Sequence, residues 1–128
     1  MLKNNAFRDI LKLTGFRTSF KNAGRGMLYL FLHHRNMRII FMIGLVALLL
    51  GFLLNLKGIE LIALCITVTL VFMAEIFNTA VELMMNAITE EYHIKIRLVK
   101  DIAAGIVVIT CLNAAVIGYI LFIRKLIK

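Results

Sequence analysis

At 128 residues the chain has the length of one domain. It is 62% hydrophobic with a mean hydropathy of +0.94, which excludes an ordinary soluble domain and indicates an integral membrane protein. The formal charge of +8 comes with no DNA- or RNA-binding motif. In such a chain, flanking Lys and Arg record topology and contact with anionic lipid, so no nucleic-acid partner is expected.

Residues 1–38 are basic and amphipathic. Phe7, Ile10 and Leu11 alternate with Arg8, Lys12 and Arg17, and Phe20, Met27, Leu28 and Phe31 face Lys21 and Arg25. The pattern predicts amphipathic helices over about 5–34, lying on the membrane surface with their basic side toward water. Gly24 and Gly26 mark a possible bend in the second of them.

Three spans follow, predicted at about 39–56, 61–88 and 102–123. The fold class is therefore all-α, with three transmembrane helices after the surface helices. Asn55-Leu56-Lys57-Gly58 forms a short turn between the first two spans, and a charged, partly helical connector over 89–101 joins the second to the third. Ala103, Ala104, Gly105, Ala114 and Ala115 supply small residues for close helix contact. Eleven Lys and Arg fall on the side of the N-terminus and four on the other, which predicts a cytoplasmic N-terminus.

The second span carries the chemistry. Glu75, Asn78, Glu82 and Asn86 recur at offsets 0, 3, 7 and 11 in an otherwise apolar run. At about 100° per residue they share one helical stripe. Carboxylates at membrane depth cost several kcal/mol and mark functional sites more often than structural seams. Glu75 and Glu82 stand about 10.5 Å apart in rise, too far to share one ion directly. A division of labour follows. Glu82, near the water edge, suits Mg²⁺ together with waters and substrate phosphates. Glu75, deeper, suits a general base within reach of a lipid hydroxyl. Asn78 lies one turn before Glu82 and can orient it or a phosphate oxygen. Lys100-Asp101 opens the third span on the same membrane face, where a lysine balances phosphate charge or simply snorkels. His93 and Glu90-Glu91 fit a solvated loop. Three helices cannot screen such a stripe from lipid on all sides, which points to self-association.

Glu75-Ile-x-Asn78-x-Ala80-x-Glu82, then Glu91-Tyr92-His93, then Lys100-Asp101-Ile-Ala-Ala-Gly105 resemble the small prokaryotic diacylglycerol kinases, a family that includes the undecaprenol kinases. Arg35-Asn36-Met37-Arg38-Ile39 looks like its Gram-positive branch. The resemblance runs from about Ser19 onward. It implies a homotrimeric, three-span kinase of the bacterial cell membrane that moves the γ-phosphoryl of Mg-ATP to a lipid hydroxyl, of diacylglycerol or undecaprenol. By it, Glu75 is the catalytic base and contacts the lipid together with Asn78. Glu82 binds the metal, and Asn78, Glu82, Asn86, Lys100 and Asp101 form the nucleotide side. Two positions depart from the family pattern. His34 stands where a second metal-binding glutamate is usual, and Asn86 where an aspartate is usual; both remove negative charge near the metal. His34 is either a ligand for a softer divalent ion or a surface histidine.

Two other functions remain open at this point. One is a small proton-coupled exporter using Glu75 as its carrier. The other is a catalytically impaired member of the kinase family.

Overall fold

The computed structural model describes residues 15–128. It is helical, with no strand among those residues: α1 over Phe16–His33, α2 over Arg35–Leu53, α3 over Ile59–Ile88 and α4 over Ile94–Leu126. The expected first surface helix, around Phe7 to Leu13, lies outside the described residues. The chain divides into two units at His34–Arg35.

The first unit contains α1, the second of the two surface helices expected within about 5–34. Phe16, Phe20, Met27 and Phe31 recur at spacings of four and seven, so they share one side. Arg17, Lys21 and Arg25 recur every fourth residue on another. Phe16 and Phe20 stack with centroids 6.3 Å apart, and both rings are largely exposed. The helix runs unbroken through Gly24 and Gly26. It stops at His34, whose extended backbone (φ −116°, ψ 109°) still donates its N–H to the Leu30 carbonyl.

The second unit contains the three helices long and apolar enough to cross a membrane. α2 ends in a Schellman turn. Asn55 takes a left-handed conformation (φ 59°). The Leu56 N–H then bonds the Gly51 carbonyl, and the Asn55 N–H bonds that of Phe52. Asparagine tolerates this conformation better than most residues. Leu56 is buried beside Gly51, so the turn is also packed. Gly58, at φ 56°, completes the reversal and caps α3.

α2 approaches α3 through glycine. A Cβ on Gly44 would sit 2.8 Å from Val68 Cγ1, and one on Gly51 would sit 2.6 Å from Leu64 Cδ2. The two glycines are seven residues apart, so they share one face. They were not among the small residues expected to mediate contact. Of those, Ala103 is buried, whereas a Cβ on Gly105 would meet nothing within 4 Å in this chain.

α3 and α4 form an antiparallel hairpin, the most extensive helix pairing in the unit. Lys100 reaches Asn86 near one end of it, and Lys125 pairs with Glu60 at the other. The 26 residues from Glu60 to Asn86 lie alongside the 25 from Lys100 to Lys125, the match expected for two helices of equal rise. α4 starts at Ile94, eight residues before the predicted apolar span. Lys95, Arg97, Lys100 and Asp101 hide that start from a hydropathy reading, yet they continue the same helix. His93 caps it by accepting the Lys95 N–H at Nδ1, 3.2 Å away.

Candidate active site in the α3–α4 hairpin

Thirty residues give α3 a length of about 45 Å, more than a bilayer's hydrocarbon core of about 30 Å. Its polar stripe therefore runs from the buried middle of the helix toward its exposed end. Glu75 is buried, only 5% exposed, and so is Thr79 one turn later. Asn78 is half-buried, and Glu82 and Asn86 are exposed. This gradient is the one the stripe predicts. Thr79 was missed; its place one turn beyond Glu75 was the signal that could have found it.

Four of the expected site residues converge. Asn78 and Glu82 of α3, with Lys100, Asp101 and Ala104 of α4, line an open cleft of about 220 Å³. Ala104 keeps its floor low. Lys100 does not extend outward like a snorkelling side chain. Its Nζ donates to Asn86 Oδ1 at 2.7 Å, across the hairpin. Asp101 faces Arg97 one turn back, with 3.8 Å between Oδ2 and Nε. Asn86 thus joins the group through Lys100, without lining the cleft itself. Glu75 lies seven residues before Glu82, about 10.5 Å deeper along the same helix. It is not among the cleft's lining residues.

The donor set can be judged for a metal. Glu82, Asp101 and Asn78 line one cleft, and their side chains carry the hard oxygen donors that suit Mg²⁺. Among the described residues no three His, Cys, Asp or Glu side chains gather into a cage. The residues fit an ion that keeps its waters and leans on substrate phosphates, which is the usual habit of Mg²⁺. His34 belongs to the first unit. Its ring is tilted against Tyr29, with centroids 6.1 Å apart, while the neighbouring His33 stacks on Tyr29 at 4.3 Å.

A larger cavity, about 330 Å³, opens among α2, α3 and α4 and is almost wholly apolar. Gly44, Ala47, Ala114, Ala115 and Gly118 leave that space unfilled. Thr67, the buried polar residue on its wall, returns its hydroxyl to the Ala63 carbonyl at 2.7 Å. Cys111 contributes a free thiol to the same wall, and the cavity holds no carboxylate, lysine or arginine.

Residues 21–122 match the family described as prokaryotic diacylglycerol kinase. The chain is 32% identical over 115 residues to an undecaprenol kinase of Bacillus subtilis (strain 168), covering 90% of this chain and 94% of that one. It is 33% identical over 128 residues to a diacylglycerol kinase of Synechocystis (strain ATCC 27184 / PCC 6803 / Kazusa), covering 99% and 71%. The matched region takes in α2 and α3 whole, α4 as far as residue 122, and every residue of the cleft. With its helical membrane-type architecture and acidic cleft, the chain belongs to the prokaryotic diacylglycerol kinase family of lipid kinases.

Proposed function

We propose that the protein transfers the γ-phosphoryl group of ATP to the hydroxyl of a membrane lipid, with the α3–α4 cleft as the phosphate side and Glu75 as the base. The observation that carries this is the grouping of Asn78, Glu82, Lys100 and Asp101 around one cleft, with a buried carboxylate on the same helix about two turns below.

The residues divide as follows. Glu75 accepts the proton of the lipid hydroxyl as its oxygen bonds to the γ-phosphorus. The bond from that phosphorus to the β–γ bridging oxygen breaks, and ADP departs with the electron pair. Lys100 stabilises negative charge on the phosphates. Asn78, between the two carboxylates, orients the transferred group. Glu82 and Asp101 would hold a hydrated Mg²⁺, which would supply neutralisation of phosphate charge. Catalysis here is mainly positioning and electrostatics, so a sparse, rigidly mounted set of side chains suffices.

The orientation proposed puts the cleft at the cytoplasmic face of the cell membrane, where nucleotide is available. The excess of basic residues on that side supports it. The cleft is open on one side in a single chain, and apolar side chains are exposed along all three long helices. A homotrimer whose neighbours close the sites accounts for both. Of the two acceptors named for its relatives, undecaprenol is the proposed one, on the Gram-positive character of Arg35-Asn36-Met37-Arg38-Ile39.

The test is an assay of the purified protein with radiolabelled ATP and both lipids. Label in undecaprenyl phosphate supports the proposal in full, and label in phosphatidic acid alone reassigns the acceptor. No label in either lipid, with an intact oligomer, would mean an inactive member. Cation transport without ATP consumption would mean the exporter reading.

A further inference from the structure

We infer that Asn86 is a positioning residue for the phosphate side of this site: its amide holds the Lys100 ammonium over the cleft without neutralising it. The inference rests on the kinase reading above and deepens it.

A lysine has four rotatable carbons and a strongly hydrated head, and at a membrane edge its default is to reach outward into water. Lys100 instead crosses the hairpin and donates to Asn86 Oδ1 at 2.7 Å. Asn86 lies one turn beyond Glu82 on α3, and Glu82 lines the same cleft as Lys100. The hydrogen bond therefore anchors the ammonium one helical turn from the metal-binding carboxylate proposed above.

The acceptor's chemistry matters as much as its place. An amide oxygen takes a hydrogen bond but carries no formal charge. An aspartate at 86 would orient the lysine equally well, yet pair its charge away. The neighbouring Asp101 leans instead toward Arg97. Lys100 is thus ordered by a neutral partner, and its remaining N–H donors and its full charge stay available to a polyphosphate. Asn86 trades attraction for the metal ion against attraction for the anion it accompanies.

The test is a double-mutant cycle read by binding. The full-length protein in nanodiscs is titrated with the Mg²⁺ complexes of tripolyphosphate and of a non-hydrolysable ATP analogue. Asn86→Leu keeps the bulk and removes the acceptor, and Lys100→Met removes the charge. Asn86 is exposed, so these changes leave the helices intact, which circular dichroism verifies. Asn86→Leu should weaken binding of both probes by about tenfold, the value of a hydrogen bond to a charged group. In the Lys100→Met background the same change should alter binding less than twofold. Asn86→Asp should also weaken polyphosphate binding, while lowering the free Mg²⁺ needed for half-saturation. A merely structural asparagine would not move those two affinities in opposite directions.

Equal losses from Asn86→Leu in both backgrounds, or no loss in either, would overturn the inference. So would a wild-type protein that binds neither probe. Failure of the kinase reading looks different: lipid goes unphosphorylated while the binding cycle still shows the coupling.

Discussion

Glu75→Gln keeps the shape of the side chain and removes its capacity to take a proton. Glu75 is 5% exposed, so the amide inherits a dry place, beside the lipid hydroxyl in the mechanism proposed above. A positioned base contributes about 10²–10⁴-fold, and kcat should fall by that factor, or about 2.7–5.4 kcal/mol of barrier. Seven residues of helix separate it from Glu82, about 10.5 Å. Mg-ATP affinity should therefore stay within about threefold, because Glu82 is exposed and water around it screens its interaction with a group at that distance. Glu75→Asp restores the charge but draws the carboxylate back by one carbon–carbon bond, about 1.5 Å. Misplacement by about 1 Å can cost 10²-fold, so this variant should recover little. Glu82→Gln should do the reverse. It should weaken Mg-ATP binding by about tenfold or more, and excess Mg²⁺ should restore part of the rate. Initial rates against lipid and Mg-ATP, together with calorimetric binding of a non-hydrolysable analogue, separate the two carboxylates. The division of labour fails if Glu75→Gln abolishes nucleotide binding, or if Glu82→Gln leaves it untouched.

Gly44→Ala should destabilise the α2–α3 contact by about 1–3 kcal/mol, because its methyl would meet Val68 Cγ1 at 2.8 Å and valine has little rotameric freedom to yield; a lower Tm in nanodiscs is the readout, and an unchanged Tm refutes it. His34→Glu should strengthen activation by Mg²⁺ relative to Mn²⁺ if position 34 reaches the metal, and identical metal profiles for His34→Glu and His34→Ala would exclude it from the site. Co-reconstituting inactive Glu75→Gln chains with inactive Glu82→Gln chains should restore activity if the two carboxylates of one site come from different chains; if crosslinking yields only monomers, the trimer is refuted. Glu60→Gln should lower stability by no more than about 1 kcal/mol in chemical denaturation, since its ion pair with Lys125 is a third exposed.

The polar stripe on α3 was legible because four residues repeat at a helical period in an apolar background, and no β pattern competes with that. The order of burial along it followed from helix length against bilayer thickness. The start of α4 was not legible, because residues 94–101 alternate apolar and charged side chains and carry no hydropathy signal. The link between Lys100 and Asn86 was not legible either. It depends on hairpin register, which the loop from Thr89 to His93 sets and no periodicity within one helix reports. Gly44 and Gly51 went unremarked because glycine in an apolar helix reads as neutral until the partner surface is known. The seven-residue spacing was present, but its meaning lay in Val68 and Leu64.

The hairpin is fastened near both of its ends, by Lys100 on Asn86 and by Lys125 on Glu60. Neither contact supplies much energy, since both are reached by water. Together they mark one register: a one-turn shift of α4 past α3, about 5.4 Å, would break both at once and would also disrupt the extensive packing between the two helices. The fastenings are 26 residues apart on α3, about 39 Å, against a hydrocarbon core of about 30 Å. A thinner or thicker bilayer is therefore met by leaning of the pair as one rod, not by slippage between its halves. The distance from Glu75 to the lysine end of the cleft then becomes a fixed ruler, carried unchanged through membranes of different thickness. What varies with the bilayer is the depth at which that ruler is held, and with it the reach of a lipid hydroxyl to the buried carboxylate.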